Sequence, residues 1–143
     1  MTGHRRRRRV RALGAGLVAL VVLAVLVGGC GYNVELPDLF ALTRTGPGGK
    51  LTMVVNESGQ ITCAGRQKTL TSSQIITARD LAQNLVTDAG RKLTIPPLPG
   101  SVYYYRVKLQ QGTIAFPDRA GTNHRYLGQV EAFALQAAAQ YCG

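Results

Sequence analysis

The stretch Ser101-Val102-Tyr103-Tyr104-Tyr105-Arg106-Val107-Lys108-Leu109-Gln110 alternates strictly in character. Successive side chains of a strand point to opposite faces. Tyr103, Tyr105, Val107 and Leu109 therefore share one side, and Val102, Tyr104, Arg106 and Lys108 share the other. The first set is suited to a core and the second to water, the pattern of an antiparallel strand covered on one face only. Downstream, Gln111-Gly112 is a turn signal and Thr113 to Phe116 a returning strand. A polar loop, Pro117 to Arg125, leads to a helix over Tyr126 to Tyr141, whose apolar face is Leu127, Val130, Ala134, Ala137, Ala138 and Tyr141.

Upstream, Leu93 to Gly100 contains Pro96, Pro97 and Pro99. Proline removes a backbone donor and fixes φ, which predicts a stiff extended crossover. Before it, Thr71 and Gln74 have capping-box spacing, Leu70 and Ile75 can staple the helix start, and Gly90 stands where a helix would close. Ile75, Ala78, Ala82, Leu85 and Ala89 repeat at helical spacing, widened by Leu81 and Val86, while Arg79, Asp80, Gln83, Asn84 and Asp88 take the wet side. Three short strands precede this helix: Leu39 to Thr45, Lys50 to Val55 and Gln60 to Cys63. Gly46-Pro47-Gly48-Gly49 and Asn56-Glu57-Ser58-Gly59 separate them as turns. Asn56-Glu57-Ser58 also fits a glycosylation acceptor pattern and is read as part of its turn. The expected fold is α+β: an antiparallel sheet of about five strands in the order βββαββα over residues 39–143, with two helices on one face.

Residues 1–30 have a different character. Met1 to Arg11 is basic, with Arg5 to Arg9 and Arg11, and Ala12 to Val27 carries no charge. Arginines that stay cytoplasmic, followed by an apolar stretch that enters the bilayer, are the order of an export signal. The apolar stretch ends at Val27-Gly28-Gly29-Cys30. That tetrapeptide resembles the lipobox of bacterial lipoproteins, in which two small residues precede an obligatory cysteine. The resemblance implies a lipoprotein signal peptide over 1–29, cleavage between Gly29 and Cys30, and a diacylglycerol on the Cys30 thiol. It implies location on the extracytoplasmic face of the cell membrane, with the lipid bilayer as partner through acylated Cys30. An uncleaved signal anchor is the other reading of the same stretch. Two acyl chains or more give a stable anchor. The tether, residues 30–38, leaves eight residues from Gly31 to Asp38, a reach of about 28 Å when fully extended.

With Cys30 lipidated, Cys63 and Cys142 remain outside the cytoplasm. An even remainder in an oxidising compartment predicts a disulfide between them. The bridge would staple the last helix to the third strand.

Split at Cys30, the composition changes meaning. The chain has 143 residues and a formal charge of +10, from 17 Lys and Arg against 7 Asp and Glu. Six of those cations lie in the signal, which leaves 11 minus 7, or +4. That balance does not call for a nucleic-acid partner; it would attract the domain mildly to an anionic membrane surface or an anionic wall polymer. Catalytic constellations are thin. The segment after Cys30 has one histidine, His124, and a small hydrolase would have to use Asp118 or His124 without a G-x-S-x-G nucleophile turn. No metal site or cofactor is expected. Tyr104, Arg106 and Lys108 are the candidate binding face, since Tyr and Arg combine rigid contact area with planar charge.

The order of strands and helices, with Ile61-Thr62-Cys63-Ala64 followed by Ala78-Arg79-Asp80-Leu81, is similar to the secreted subtilisin-inhibitor-like proteins. That likeness implies a membrane-tethered protease inhibitor as an alternative to a lipid-anchored surface protein that binds a partner in the envelope without catalysis. Ala78 stands where that family has a cysteine, and its inhibitory loop has no counterpart here.

Overall fold

The computed structural model describes residues 38–143. The expected signal peptide over 1–29, the expected cleavage point at Gly29 and Cys30, and the expected tether up to residue 37 lie outside the described residues. Among the described residues, no helix is long and apolar enough to cross a membrane.

The chain forms β1 (Asp38–Gly46), β2 (Gly49–Asn56), β3 (Gln60–Cys63), β4 (Arg66–Thr69), α1 (Ser72–Asn84), α2 (Val86–Gly90), β5 (Tyr104–Leu109), β6 (Gly112–Pro117), a 3-10 turn (Ala120–Thr122) and α3 (Arg125–Tyr141). The strands make one sheet in the order β4-β3-β2-β1-β5-β6. Every neighbouring pair is antiparallel. The architecture is α+β as expected, with six strands instead of about five and three helices instead of two. The added strand, β4, is Arg-Gln-Lys-Thr and exposed throughout. It extends the meander through Ala64 and Gly65, both with positive φ (50° and 74°), the backbone that a two-residue hairpin turn requires.

The capping box of α1 is present: Thr71 accepts from the Gln74 backbone N–H, and the Gln74 side chain accepts from the Thr71 N–H. The predicted single helix is interrupted at Leu85, although its N–H still reaches the Leu81 carbonyl at 3.0 Å. Gly90 does not close it. The left-handed residue is Lys92, with φ of 54°, and its N–H bonds the Ala89 carbonyl at 2.9 Å. Val86, placed in the apolar stripe by its spacing, is exposed.

Helices cover one face of the sheet. Phe40, Leu42, Met53, Val55, Ile61, Cys63, Tyr105, Val107, Ile114 and Phe116 lie in one buried cluster with Ala78, Leu81 and Leu85 and with Leu127, Val130, Phe133 and Ala134 of α3. Their spacing follows the register, since Leu42 opposes both Met53 and Val107. Tyr105 stacks on Phe116 (5.4 Å between centroids) and Phe40 meets Phe133 edge-on at 5.7 Å. Phe133 was not among the predicted face of this helix, and Ala138, which was, is only half-buried. Tyr103 is also only half-buried and carries Arg44 over its ring at 4.8 Å, a cation–π contact at the edge of the core.

Cys63 and Cys142 are joined, with their Cα atoms 5.3 Å apart. Cys142 caps the end of α3, and Arg66 Nη2 donates to the carbonyl of Gly143 at 2.7 Å. The last helix is thus held to β3 and β4 by one covalent and one polar link. The Asn56 turn is built by its own side chain: Asn56 Oδ1 accepts from the Gln60 N–H (2.9 Å) and the Ser58 hydroxyl (2.7 Å). That use of Asn56 agrees with its reading as a turn residue.

One charged group sits at the margin of the core. Glu131 of α3 accepts from the Gly121 N–H at 3.3 Å, and burial, with Asp118 adding to it, raises its pKa above the ordinary carboxylate value. A raised native pKa favours folding when the group is protonated, and that contribution is lost as the pH rises through the native value. Glu131→Gln keeps an acceptor for Gly121 and removes the charge. Thermal melts should show the variant more stable than the wild type at pH 7, with the difference closing toward pH 4. An equal or lower melting temperature at pH 7 would contradict this.

Candidate binding face

The helices leave the second face of the sheet open, and the register shows what lies on it. One row across the strands is Gln67, Thr62, Val54, Ala41, Lys108 and Thr113; the next holds Thr52, Thr43, Arg106 and Ala115; a third holds Lys50, Thr45, Tyr104 and Pro117. Threonine is a strand former with a hydroxyl, so this face keeps sheet propensity while remaining wet. Thr43 and Thr52 are directly opposed, with their hydroxyls 3.2 Å apart.

Tyr104, Arg106 and Lys108 stand on this face as their alternation requires, and Arg106 and Lys108 are exposed. The three are not equivalent. Tyr104 is half-buried and its hydroxyl donates to the Ile95 carbonyl at 2.9 Å. The bond ties the Pro-rich connector to the sheet. The connector also runs alongside β6: the Ala115 N–H donates to Leu93 and the Ile95 N–H to Ala115, at 2.9 and 2.8 Å, around a parallel bridge of Thr94 with Ala115. The next N–H groups of this ladder would be those of residues 117 and 97, both of which are prolines, and the pairing ends there.

Because the connector rises beside the edge strand, it makes a wall, and an open hollow of about 370 Å³ lies between it and β5. Lys92, Thr94, Tyr104, Arg106, Thr113 and Ala115 line it, with Gly112 at one end. Ala115 is buried and forms its floor. Two cations, two threonine hydroxyls and one aromatic ring thus converge around a recessed apolar floor. Lys108 faces elsewhere, into a separate hollow of about 390 Å³ shared with Asp38, Ala41, Glu57, Leu109 and Gln110. Two carboxylates, those of Asp38 and Glu57, line the same hollow. The alternation of residues 101–110 therefore placed Tyr104, Arg106 and Lys108 on one face, and the structure divides them between two hollows.

Lys92 and Thr94 were not legible as site residues. They belong to the connector, where no periodicity marks orientation, and only the bridge to Ala115 brings them to the sheet.

Asp118 and His124, the two residues considered for hydrolysis, lie at opposite ends of the loop between β6 and α3. The Asp118 carboxylate accepts from the N–H groups of Val102 (3.0 Å) and Tyr103 (3.1 Å), fixing the approach of the chain to β5. His124 is exposed and precedes α3 as its cap residue, without a side-chain capping bond. Among the described residues, no group of three or more His, Cys, Asp or Glu is placed to hold a metal ion. No protein-family model, curated protein or solved structure matches the chain.

Proposed function

We propose that this is a lipid-anchored protein of the extracytoplasmic membrane face, held by an acylated Cys30 after cleavage behind Gly29, which binds an anionic envelope partner without catalysis. The observation that carries the reading is a sheet covered by helices on one face, with Tyr104, Arg106 and Lys108 on the other. A chain that needed only to fold could shield that face or fill it with balanced charge; here its inner rows, between β2 and β6, bear cations and hydroxyls, and Asp38 and Glu57 line the hollow that Lys108 shares. The partner in this reading is an envelope protein or a wall polymer. The lipid keeps the domain within a short reach of the bilayer, so the face works where such partners are concentrated.

The two halves of the proposal have separate tests. Growth with labelled palmitate should mark the wild-type chain and leave Cys30→Ala unlabelled; retained label would remove the lipid anchor from the proposal. Co-sedimentation with purified cell walls addresses the face. Wild type should pellet with the walls, and the combined Tyr104→Ala, Arg106→Ala, Lys108→Ala variant should stay largely in solution. Equal pelleting of the two proteins would mean that this face is not the binding surface.

A further inference from the structure

The hollow between the connector and β5 suggests a specific ligand chemistry, and the inference rests on the reading of this face as a binding surface. We infer that it takes a phosphorylated polyol, one segment of a phosphodiester wall polymer, with the phosphate between Lys92 and Arg106 and the polyol against Thr94, Thr113 and the ring of Tyr104.

Each part follows from a lining group. Arg106 offers the planar donor fork that matches phosphate oxygens in pairs, and Lys92 a point charge from the opposite wall. The Thr94 hydroxyl donates to the Lys92 carbonyl at 3.2 Å and is left to accept from a polyol hydroxyl, while that of Thr113 can donate or accept. The Tyr104 hydroxyl is already committed to the Ile95 carbonyl, so its ring offers apolar surface, suited to the methylenes of such a chain. The floor, Ala115, has no polar side chain to compete.

The shape selects the polymer over the membrane as source of the phosphate. A bilayer presents its phosphates in a plane and meets cations that protrude. Here Lys92 and Arg106 flank an open hollow above buried Ala115, so a single chain can lie between them. The corner at which the chain arrives from the anchor, Asp38, carries Asp38 and Glu57 beside Lys108. Those carboxylates would repel an anionic bilayer there.

Lys92 adds a distinguishing feature. It holds φ of 54°, a conformation that costs any residue other than glycine and that persists where surrounding structure or function requires it. Glycine at this position would relieve the backbone, so the lysine side chain is the part to be explained.

The test is a calorimetric titration of the full chain, in a neutral detergent, with poly(glycerol phosphate) of defined length. Saturable binding that weakens with added salt is expected. Arg106→Ala and Lys92→Gly should each weaken it at least tenfold, while Lys68→Ala, on the exposed strand β4 at the opposite edge of the sheet, changes it less than threefold. Lys92→Gly should melt no lower than wild type, which separates loss of ligand from loss of fold. The inference is overturned if the polymer does not bind, if Arg106→Ala and Lys92→Gly bind it as tightly as wild type, or if vesicles of phosphatidylglycerol engage the chain through Arg106 and the polymer does not. Should the polymer fail while the triple open-face variant still loses cell walls, the binding face stands and only the ligand class falls. If that variant also pellets normally, both fall.

Discussion

Replacing Cys63 and Cys142 together by alanine is expected to remove about 4.5 kcal/mol of stability. The bond joins residues 79 apart in sequence. In the chain-entropy account, closing a loop of roughly 80 residues lowers the entropy of the unfolded chain by an amount worth about 4.5 kcal/mol at room temperature. Native single domains are stable by only about 5–15 kcal/mol. The bridge therefore supplies a large part of the total, and reduction should leave the domain marginal. Its position adds a local effect. The bond ties the end of α3 to β3, and Cys63 is buried in the core beneath that helix. Without it, the link from Arg66 to the Gly143 carbonyl is exposed and terminal, and contributes little by itself. The last turn of α3 should fray first. Urea denaturation of the double variant should show a midpoint lowered in proportion. Hydrogen exchange should rise earliest in the turn that carries Ala138 and Tyr141. A loss of less than about 1.5 kcal/mol would mean that the unfolded chain is not the state that the bridge constrains.

The disulfide was legible because it follows from counting cysteines, and the covered face of the sheet was legible because alternation survives in Tyr105, Val107 and Leu109. What could not be read lies where periodicity carries no information. β4 has no buried residue, since it lies at the edge of the sheet and both of its sides are wet. A strand of Arg, Gln, Lys and Thr looks like a loop until its partner is known. The close of the helical stretch was read at Gly90 because glycine usually takes the left-handed position. Lys92 takes it instead, two residues on, and this displacement carries its side chain to the hollow. The same connector supplies Thr94. The site is therefore half strand and half loop: Tyr104, Arg106 and Thr113 could be placed on a face by parity alone, and Lys92 and Thr94 could not.

Gly112→Ala is expected to cost about 4 kcal/mol and to weaken ligand binding in the molecules that still fold. Gly112 begins β6 with φ of 156°. A side chain in that region of positive φ costs about 1–3 kcal/mol. Space is the second difficulty. A β-carbon here would lie 2.2 Å from the carbonyl oxygen of Ala89 and 3.0 Å from its carbon. Both are backbone atoms of α2, and Ala89 is fully buried, so no flexible side chain can yield. Forcing an extra carbon into such a contact adds about 1–3 kcal/mol. The displaced carbonyl is also the one that accepts the Lys92 N–H at 2.9 Å. Pushing α2 away from the β5–β6 turn therefore moves Lys92, and with it one cationic wall of the hollow. Gly48→Ala is the control, because Gly48 has φ of 89° and a β-carbon there meets nothing within 4 Å. It should show the backbone strain alone, about 1–3 kcal/mol, and leave binding unchanged. The difference between the two variants in urea denaturation isolates the close approach of hairpin and helix. If Gly112→Ala proves no more costly than Gly48→Ala, the turn and α2 can separate freely, and the hollow is not held rigid from this side.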